Sequence, residues 1–286
     1  MAAMLHSHSF KNIAMPSCIE AIDITFSEDR WHVYTFGPCA VYMKQVSYNT
    51  NRPDLFVVTG ISADSMISTS RIIMRQLSTL EKKYHRIFII KFCHSNNYID
   101  DMHKKACEQR DEKKLDEKII EFPAKSASEL PKKRWVSNRS EVYKPELEFY
   151  NLMAKLVNHI ITQELMLTNV EVLGKSAGGC IAIDLVGMSI VYNALYLASP
   201  ASPMNVIKLT ELGFAKRQTM RFHFGWPVND MYLLKWNIVS RDDKSNYDIM
   251  MEKLNIVNYK SRIYDMIEIN NGHELHPDMI TDICLY

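Results

Sequence analysis

The alternation of short apolar runs with helical segments constrains this chain most. Residues 55–59 and 86–90 are continuous apolar runs without a polar face, which is typical of strands buried on both sides. Residues 66–84 lie between them, with apolar positions at helical spacing and a basic C-terminal end. A strand, a helix and a second strand form a βαβ unit, whose crossover is nearly always right-handed. The chain is therefore predicted to build a parallel sheet covered by helices.

The same alternation continues through the second half of the chain. The strands predicted there are short apolar runs, namely residues 170–173, 194–198, 236–239 and 263–269. The predicted helices are residues 146–165, 177–188 and the terminal segment 277–285. This order predicts an α/β fold with one doubly wound, mostly parallel sheet.

Two further regions modify this plan. Residues 22–26, 31–36 and 40–46 alternate as strands do, which predicts an antiparallel N-terminal start to the sheet. Residues 93–142 are rich in charge and contain a predicted polar helix at 99–120, so they form an insertion in a single domain spanning residues 1–286. This insertion is interpreted either as a lid over a pocket or as a solvated helical decoration.

Composition excludes several classes of function. The net charge is +1 and no basic run is interleaved with aromatic residues, so a nucleic-acid partner is not expected. No secretory signal and no apolar stretch of about 18 residues is present, so no transmembrane segment is expected. The six cysteines form no CxxC pair, which is typical of reduced thiols and a cytoplasmic location. No nucleotide-cofactor or metal-binding motif is present, and the oligomeric state is left open.

The stretch Gly174-Lys175-Ser176-Ala177-Gly178 fits the G-x-S-x-G pattern of a nucleophilic serine. That chemistry needs a serine on a strained turn between a strand and a helix, with small residues on both sides so that the backbone packs closely. Here the pentapeptide directly follows a predicted strand and opens a predicted helix. The alternative is a glycine-rich turn that binds an anion at a helix N-terminus.

This motif in this context resembles the α/β-hydrolase superfamily from about residue 20 to the C-terminus. The resemblance implies the chain order nucleophile, acid, histidine, with the histidine after the last strand. His273 follows Gly272 at that place and is the predicted general base, while His276 competes with it. The pair is not a zinc motif, because the two histidines are three residues apart rather than four.

The resemblance also implies that the acid follows the next-but-one strand after the nucleophile. With residues 236–239 as that strand, Ser240 stands at the family's usual glycine position and Asp243 is the predicted acid. Asp242 is the adjacent alternative, and a third interpretation makes both residues solvated turn aspartates. The role of the acid is to orient the imidazole and to stabilise its protonated form.

The resemblance further implies an oxyanion hole made of backbone N–H groups. Its donors are expected at Ala177, directly after the nucleophile, and at Ile61, in the loop after Gly60. Thr59 stands where the family often has histidine, which argues against the hormone-sensitive-lipase-like branch.

A serine hydrolase acting on a carboxylic ester or a lipid-like ester is therefore expected. Thioesterases, peptidases and acyltransferases use the same machinery, and a non-catalytic ligand-binding protein of the same fold is the competing class. The aromatic segment 220–226 is interpreted either as lining an acyl pocket or as a small strand or plain core.

Overall fold

A computed structural model describes residues 31–92, 98–115, 119–122, 132–135, 139–200, 202–212, 219–236, 238–239 and 246–286. The strand predicted at residues 22–26 lies outside these ranges. So does most of the segment between residues 116 and 138.

One eight-stranded sheet organises the described residues. Its strands are β1 (His32–Phe36), β2 (Cys39–Gln45), β3 (Asp54–Val58), β4 (Arg86–Phe92), β7 (Val170–Lys175), β8 (Tyr192–Ala198), β9 (Arg221–Pro227) and β10 (Tyr259–Tyr264). They lie in the order β1-β2-β4-β3-β7-β8-β9-β10. The strand β2 pairs antiparallel with both neighbours, while the pairs from β4 to β10 are all parallel. The predicted fold class, with its antiparallel start, is confirmed.

Both faces of the sheet are buried, as the continuous apolar runs predict. In β3, Phe56 and Val58 join one core cluster, while Leu55 and Val57 join the other. All four side chains are fully buried. This separation follows from the strand, because successive side chains point to opposite faces.

Helices cover the two faces. The first face carries α1 (Ala63–Arg75), the short α2 (Leu77–Leu80) and α9 (Pro277–Leu285). The predicted helix at residues 66–84 is thus two helices, with Gln76 between them. The second face carries α4 (Arg139–His159) with a π-helical turn (Ile160–Glu164), α5 (Ala177–Met188) and α6 (Ser202–Glu211).

The strands predicted after β8 differ from the observed ones. The described residues of the predicted strand at 236–239 are not in a strand, and Trp236 caps the C-terminus of α7 (Met231–Lys235). The strand is β9 instead, so the aromatic segment 220–226 belongs largely to the sheet, as one of its two interpretations had it. The last strand begins and ends earlier than predicted, and α8 (Asn246–Lys253) precedes it.

The helix of the insertion packs against the body of the chain. The helix α3 (Tyr98–Leu115) lies on α4 and buries Ile99 and Ala106 in the core of the second face. A hairpin of β5 (Ile119–Phe122) and β6 (Lys132–Trp135) follows it. Among the helices in the described ranges, none has the length and apolar character needed to cross a membrane.

The parallel strands place their carboxyl ends at one edge of the sheet. Gly60 follows β3, Ser176 follows β7 and Asp230 follows β9 there. The loop carrying His273 follows β10 at the same edge. In open α/β sheets this edge is where ligands bind.

Candidate functional site

Ser176 occupies a strained turn between β7 and α5. Its backbone angles are φ 55° and ψ −127°, a conformation that residues other than glycine rarely adopt. Its N–H donates to the carbonyl of Ala198 at 3.2 Å, and its carbonyl accepts from Gly179 N–H at 2.8 Å. These bonds hold the turn, which is the geometry expected of an exposed nucleophilic serine.

The glycines of the motif permit close packing around this turn. A Cβ at Gly178 would lie 2.2 Å from the carbonyl oxygen of Val58 at the end of β3. A Cβ at Gly174 would lie 2.7 Å from the Cβ of Ala182 in α5. Neither distance is possible between real atoms, so small residues at both positions let α5 start directly above the sheet.

His273 is hydrogen-bonded to Ser176. The distance from Ser176 Oγ to His273 Nε2 is 2.9 Å. His273 follows a 3-10 turn (Asn270–Gly272), in which Gly272 has φ 78°. The aromatic ring of Tyr232 lies 4.8 Å from the imidazole, measured between centroids. The competing His276 instead caps α9 by accepting from Asp278 N–H, and its ring stacks on Tyr264.

The acid that contacts His273 is Asp230, which the sequence did not predict. His273 Nδ1 lies 3.0 Å from Asp230 Oδ2 and 3.1 Å from Oδ1. Asp230 is fully buried, and its Oδ1 also accepts from the N–H groups of Tyr232 and Leu233 at 3.2 Å each. Asp230 thus contacts the histidine nitrogen for which Asp243 was predicted as the partner. Asp243 and Asp242 both lie outside the described residues.

The difference in strand assignment explains why the sequence did not point to Asp230. The resemblance places the acid after the next-but-one strand beyond the nucleophile, and that strand is β9 rather than residues 236–239. Asp230 stands three residues beyond Pro227, the last residue of β9. The rule that the acid follows the next-but-one strand would therefore have identified Asp230 if the aromatic segment 220–226 had been taken as that strand.

Asn229 ties the loop of the acid to the loop of the histidine. Its Nδ2 donates to the Ile267 carbonyl at 2.6 Å, and its Oδ1 accepts from Ile267 N–H at 3.0 Å. A Cβ at Gly272 would lie 2.6 Å from the backbone of Asn229. The two loops are thus held at a separation that only glycine at position 272 allows.

A buried charged network borders the serine. Lys175 Nζ donates to Ser65 Oγ at 3.2 Å and lies 3.9 Å from Glu274 Oε2. Ser68 Oγ donates to the same Oε2 at 2.8 Å. Burial lowers the pKa of Lys175, an effect that Glu274 and Asp230 partly oppose. This network places a paired ammonium group next to the nucleophile.

The expected oxyanion donors lie in the segments that flank Ser176. Ala177 is the first residue of α5, where N–H groups have no acceptor within the helix. Gly60 approaches the serine closely, since a Cβ placed on it would lie 3.7 Å from Ser176 Cβ. Ile61 follows directly, with its side chain buried. The Thr59 hydroxyl donates to the Ile90 carbonyl at 3.0 Å and so holds the end of β3 to β4.

Ser176 and His273 open into a cavity of about 410 Å³. Its other lining residues are mostly polar, namely Ser62, Asp64, Ser65, Lys175, Tyr232, Trp236, Asn270, Asn271 and Glu274. Phe222, Phe224 and Trp226 are buried within the core. The interpretation of the aromatic segment as an acyl pocket is therefore wrong, and its interpretation as strand and core is confirmed.

No protein-family model matches the chain, and no curated protein sequence matches it significantly. Several solved structures are similar in fold. The carboxylesterase CesB of Bacillus subtilis is 9% identical over 94% of this chain and 95% of that chain, with a TM-score of 0.48. An α/β hydrolase, MGS-MChE2, from a lagoon-sediment metagenome is 14% identical over 88% and 95%, with a TM-score of 0.46. An IroE-like serine hydrolase from Shewanella oneidensis is 12% identical over 87% of this chain and 73% of that chain, with a TM-score of 0.44.

The mixed sheet and the strained serine turn described above are those of the α/β-hydrolase fold.

Proposed function

We propose that this chain is a serine hydrolase that cleaves carboxylic esters through an acyl-enzyme intermediate. One observation carries the proposal: Ser176 Oγ, the His273 imidazole and the Asp230 carboxylate form a continuous hydrogen-bonded chain at the mouth of a cavity. Nucleophilic catalysis requires a nucleophile that is hydrogen-bonded to a base. The base in turn is hydrogen-bonded to a buried acid that orients it.

The proposed reaction has two steps. His273 Nε2 takes the proton of Ser176 Oγ as this oxygen attacks the ester carbonyl carbon. The same nitrogen then protonates the departing alkoxide, which leaves an ester of Ser176. In the second step His273 activates a water molecule, which releases the acid and restores the serine. Asp230 orients the imidazole and stabilises the imidazolium.

The N–H groups of Ala177 and Ile61 are proposed to hold the oxyanion. The oxyanion develops on the substrate oxygen when Ser176 attacks, and donors already in place stabilise it most. Ala177 adjoins the nucleophile in the chain, and the loop of Gly60 and Ile61 adjoins it in space. Removal of one such donor typically costs about 10²- to 10³-fold in kcat.

The cavity favours a short or polar acyl group over a lipid-like one. Long acyl chains need pockets lined by apolar side chains. Here the groups beside Ser176 include the Lys175–Glu274 pair, Asp64 and the amides of Asn270 and Asn271. A long alkyl chain in this cavity would displace water from these groups without replacing its hydrogen bonds.

The competing class is a non-catalytic binding protein of the same fold. The continuous contacts from Ser176 to Asp230 favour the enzyme, because a binding protein has no need of a strained serine bonded to a base. Thioesters, peptides and transfer to an acceptor other than water use the same groups. Thioester and peptide substrates assayed beside an ester separate the first two, and an added acceptor that competes with water tests for transfer.

Hydrolysis of an aryl acetate tests the proposal. We expect turnover by the wild type and a loss of about 10⁶-fold in kcat for Ser176→Ala, the magnitude known for removal of a nucleophilic serine. Ser189→Ala is the matched control, because Ser189 caps the opposite end of α5. Equal activity in Ser176→Ala and Ser189→Ala would refute the proposal, and so would no turnover by folded wild-type protein.

A further inference from the structure

Three metal-ligating side chains meet where α3 packs against α4. His103 Nε2, Cys107 Sγ and an oxygen of Glu146 all lie within 4.8 Å of one another. Cys107 Sγ is 3.1 Å from Glu146 Oε1 and 3.7 Å from His103 Nε2. None of the three lines the cavity at Ser176, so the cluster has no place in the proposed reaction.

The sequence brings these groups together through helical geometry. His103 and Cys107 are four residues apart in α3, and residues at that spacing lie on one face of a helix. Glu146 comes from α4 and is 1% exposed. The sequence analysis predicts no metal site. His103 and Cys107 alone match no short metal-binding motif, and Glu146 is too distant in the chain to be recognised as part of one.

The separations fit a tetrahedral zinc site. Zinc binds cysteine sulfur at about 2.3 Å and histidine nitrogen or carboxylate oxygen at about 2.0–2.2 Å. A tetrahedral angle then separates the sulfur from either of the other ligands by about 3.6 Å. The observed 3.1 and 3.7 Å lie on either side of this value. The ligand atoms of His103 and Glu146 also lie within 4.8 Å of each other, so side-chain rotations can bring all three to one ion. Magnesium and calcium prefer sets of oxygen ligands, whereas zinc accepts sulfur, nitrogen and oxygen together.

We propose that His103, Cys107 and Glu146 bind one Zn²⁺ ion, with a water molecule as the fourth ligand. In the metal-free protein the thiol proton of Cys107 is donated to Glu146. Zinc takes the place of this proton, which is released to solvent as one H⁺ per zinc bound. His103 Nε2 exchanges its 3.0 Å contact with the Tyr150 hydroxyl for the metal.

Arg110 supports this site. Its Nη1 donates to Glu146 Oε1 at 2.9 Å, and the same guanidinium pairs with Asp111. The same Oε1 faces Cys107, so Arg110 orients the carboxylate oxygen that is proposed to bind the zinc. The bound ion ties α3 of the charged insertion to α4 of the main body.

Metal titration of the purified full chain tests this proposal. After removal of metal with a chelator, we expect one equivalent of Zn²⁺ to bind, and Cys107→Ser to weaken binding at least 10-fold in competition with a chromogenic chelator. Cys284→Ser is the matched control, because Cys284 is another half-buried thiol whose partner is the Thr79 carbonyl. Binding that is absent, or equally strong in both variants, overturns the proposal.

Cobalt substitution provides a readout that does not depend on how the variants fold. One equivalent of Co²⁺ in the wild type is expected to give a near-ultraviolet thiolate-to-metal charge-transfer band and the intense visible absorption of tetrahedral cobalt. Stoichiometric Co²⁺ binding without the thiolate band excludes Cys107 as a ligand and overturns the site.

Discussion

At the residue scale, Asp230 is the position on which the proposed mechanism depends most specifically. Asparagine at 230 keeps the shape of the side chain but favours the wrong tautomer of His273, so we expect Asp230→Asn to lower kcat by about 10⁴-fold. Asp243→Asn is the control and is expected to leave kcat within a few-fold of the wild type. Ester kinetics on both variants measure this. A large loss in Asp243→Asn with little loss in Asp230→Asn would return the acid role to Asp243.

Gly272 offers a second test at a single residue. Alanine there combines a φ of 78° with a Cβ 2.6 Å from the Asn229 backbone, so the histidine loop must move away from the acid. We expect Gly272→Ala to lower the free energy of unfolding by at least about 1 kcal/mol and to reduce ester hydrolysis.

Gly187→Ala is the matched glycine control. Gly187 lies within α5, and a Cβ there would be 3.4 Å from the Leu212 side chain. This helical position is expected to gain up to about 1 kcal/mol of stability, because alanine favours helix over glycine. Urea unfolding measures both variants. A neutral Gly272→Ala would show that the histidine loop is not held against Asn229.

At the element scale, the sequence predicts best those elements whose ends carry a local signal. The bounds of α5 and α9 agree with the predicted 177–188 and 277–285, because the serine motif opens α5 and Pro277 stands at the start of α9. The strand β9 was only one of two interpretations of its segment, because Arg221 and His223 interrupt its apolar pattern. Their partners are distant in the chain: Arg221 donates to the Tyr286 carbonyl, and His223 contacts the Tyr264 hydroxyl. Local patterning cannot reveal such partners.

The buried histidine of β9 predicts a pH dependence of stability. Burial, reinforced by Lys260, lowers the pKa of His223 to about 4. The unfolded chain, in which histidine has a pKa near 6.5, then binds the proton more readily than the folded chain. Stability is therefore lost as pH falls from about 6.5 to about 4, by at most about 3 kcal/mol.

Substitution of His223 isolates this effect. We expect the free energy of unfolding of His223→Gln, measured in urea, to change less between pH 7.5 and pH 4.5 than that of the wild type. His159→Gln, which replaces a 44% exposed histidine at the end of α4, is expected to keep the wild-type dependence. An unchanged pH dependence in His223→Gln would exclude β9 as its origin.

At the scale of the whole molecule, the sheet edge and the cavity set the substrate range. Ser176 and His273 were predicted from the sequence because their signals are local: a strand, a strained turn and a helix for the serine, and a glycine-histidine pair for the base. The cavity could not be predicted, because its walls come from loops after four different strands. The aromatic segment that suggested an acyl pocket lies inside the core instead.

The polar cavity predicts a preference for short acyl chains. In a series of p-nitrophenyl esters we expect kcat/KM to fall as the acyl chain lengthens from acetate to laurate. A longer alkyl chain displaces water from the polar lining groups and offers them no hydrogen bonds in return. Values that rise with chain length would indicate an apolar site and support a lipid-like substrate.

Covalent labelling with a fluorophosphonate tests the central claim most directly. An activated serine attacks the phosphorus and releases fluoride, so a stable phosphonyl adduct marks the nucleophile. We predict one adduct per chain, located on Ser176 by peptide mass spectrometry, and none in Ser176→Ala. An adduct on another residue, or no adduct on the folded wild-type protein, would contradict the assignment of Ser176 as the nucleophile.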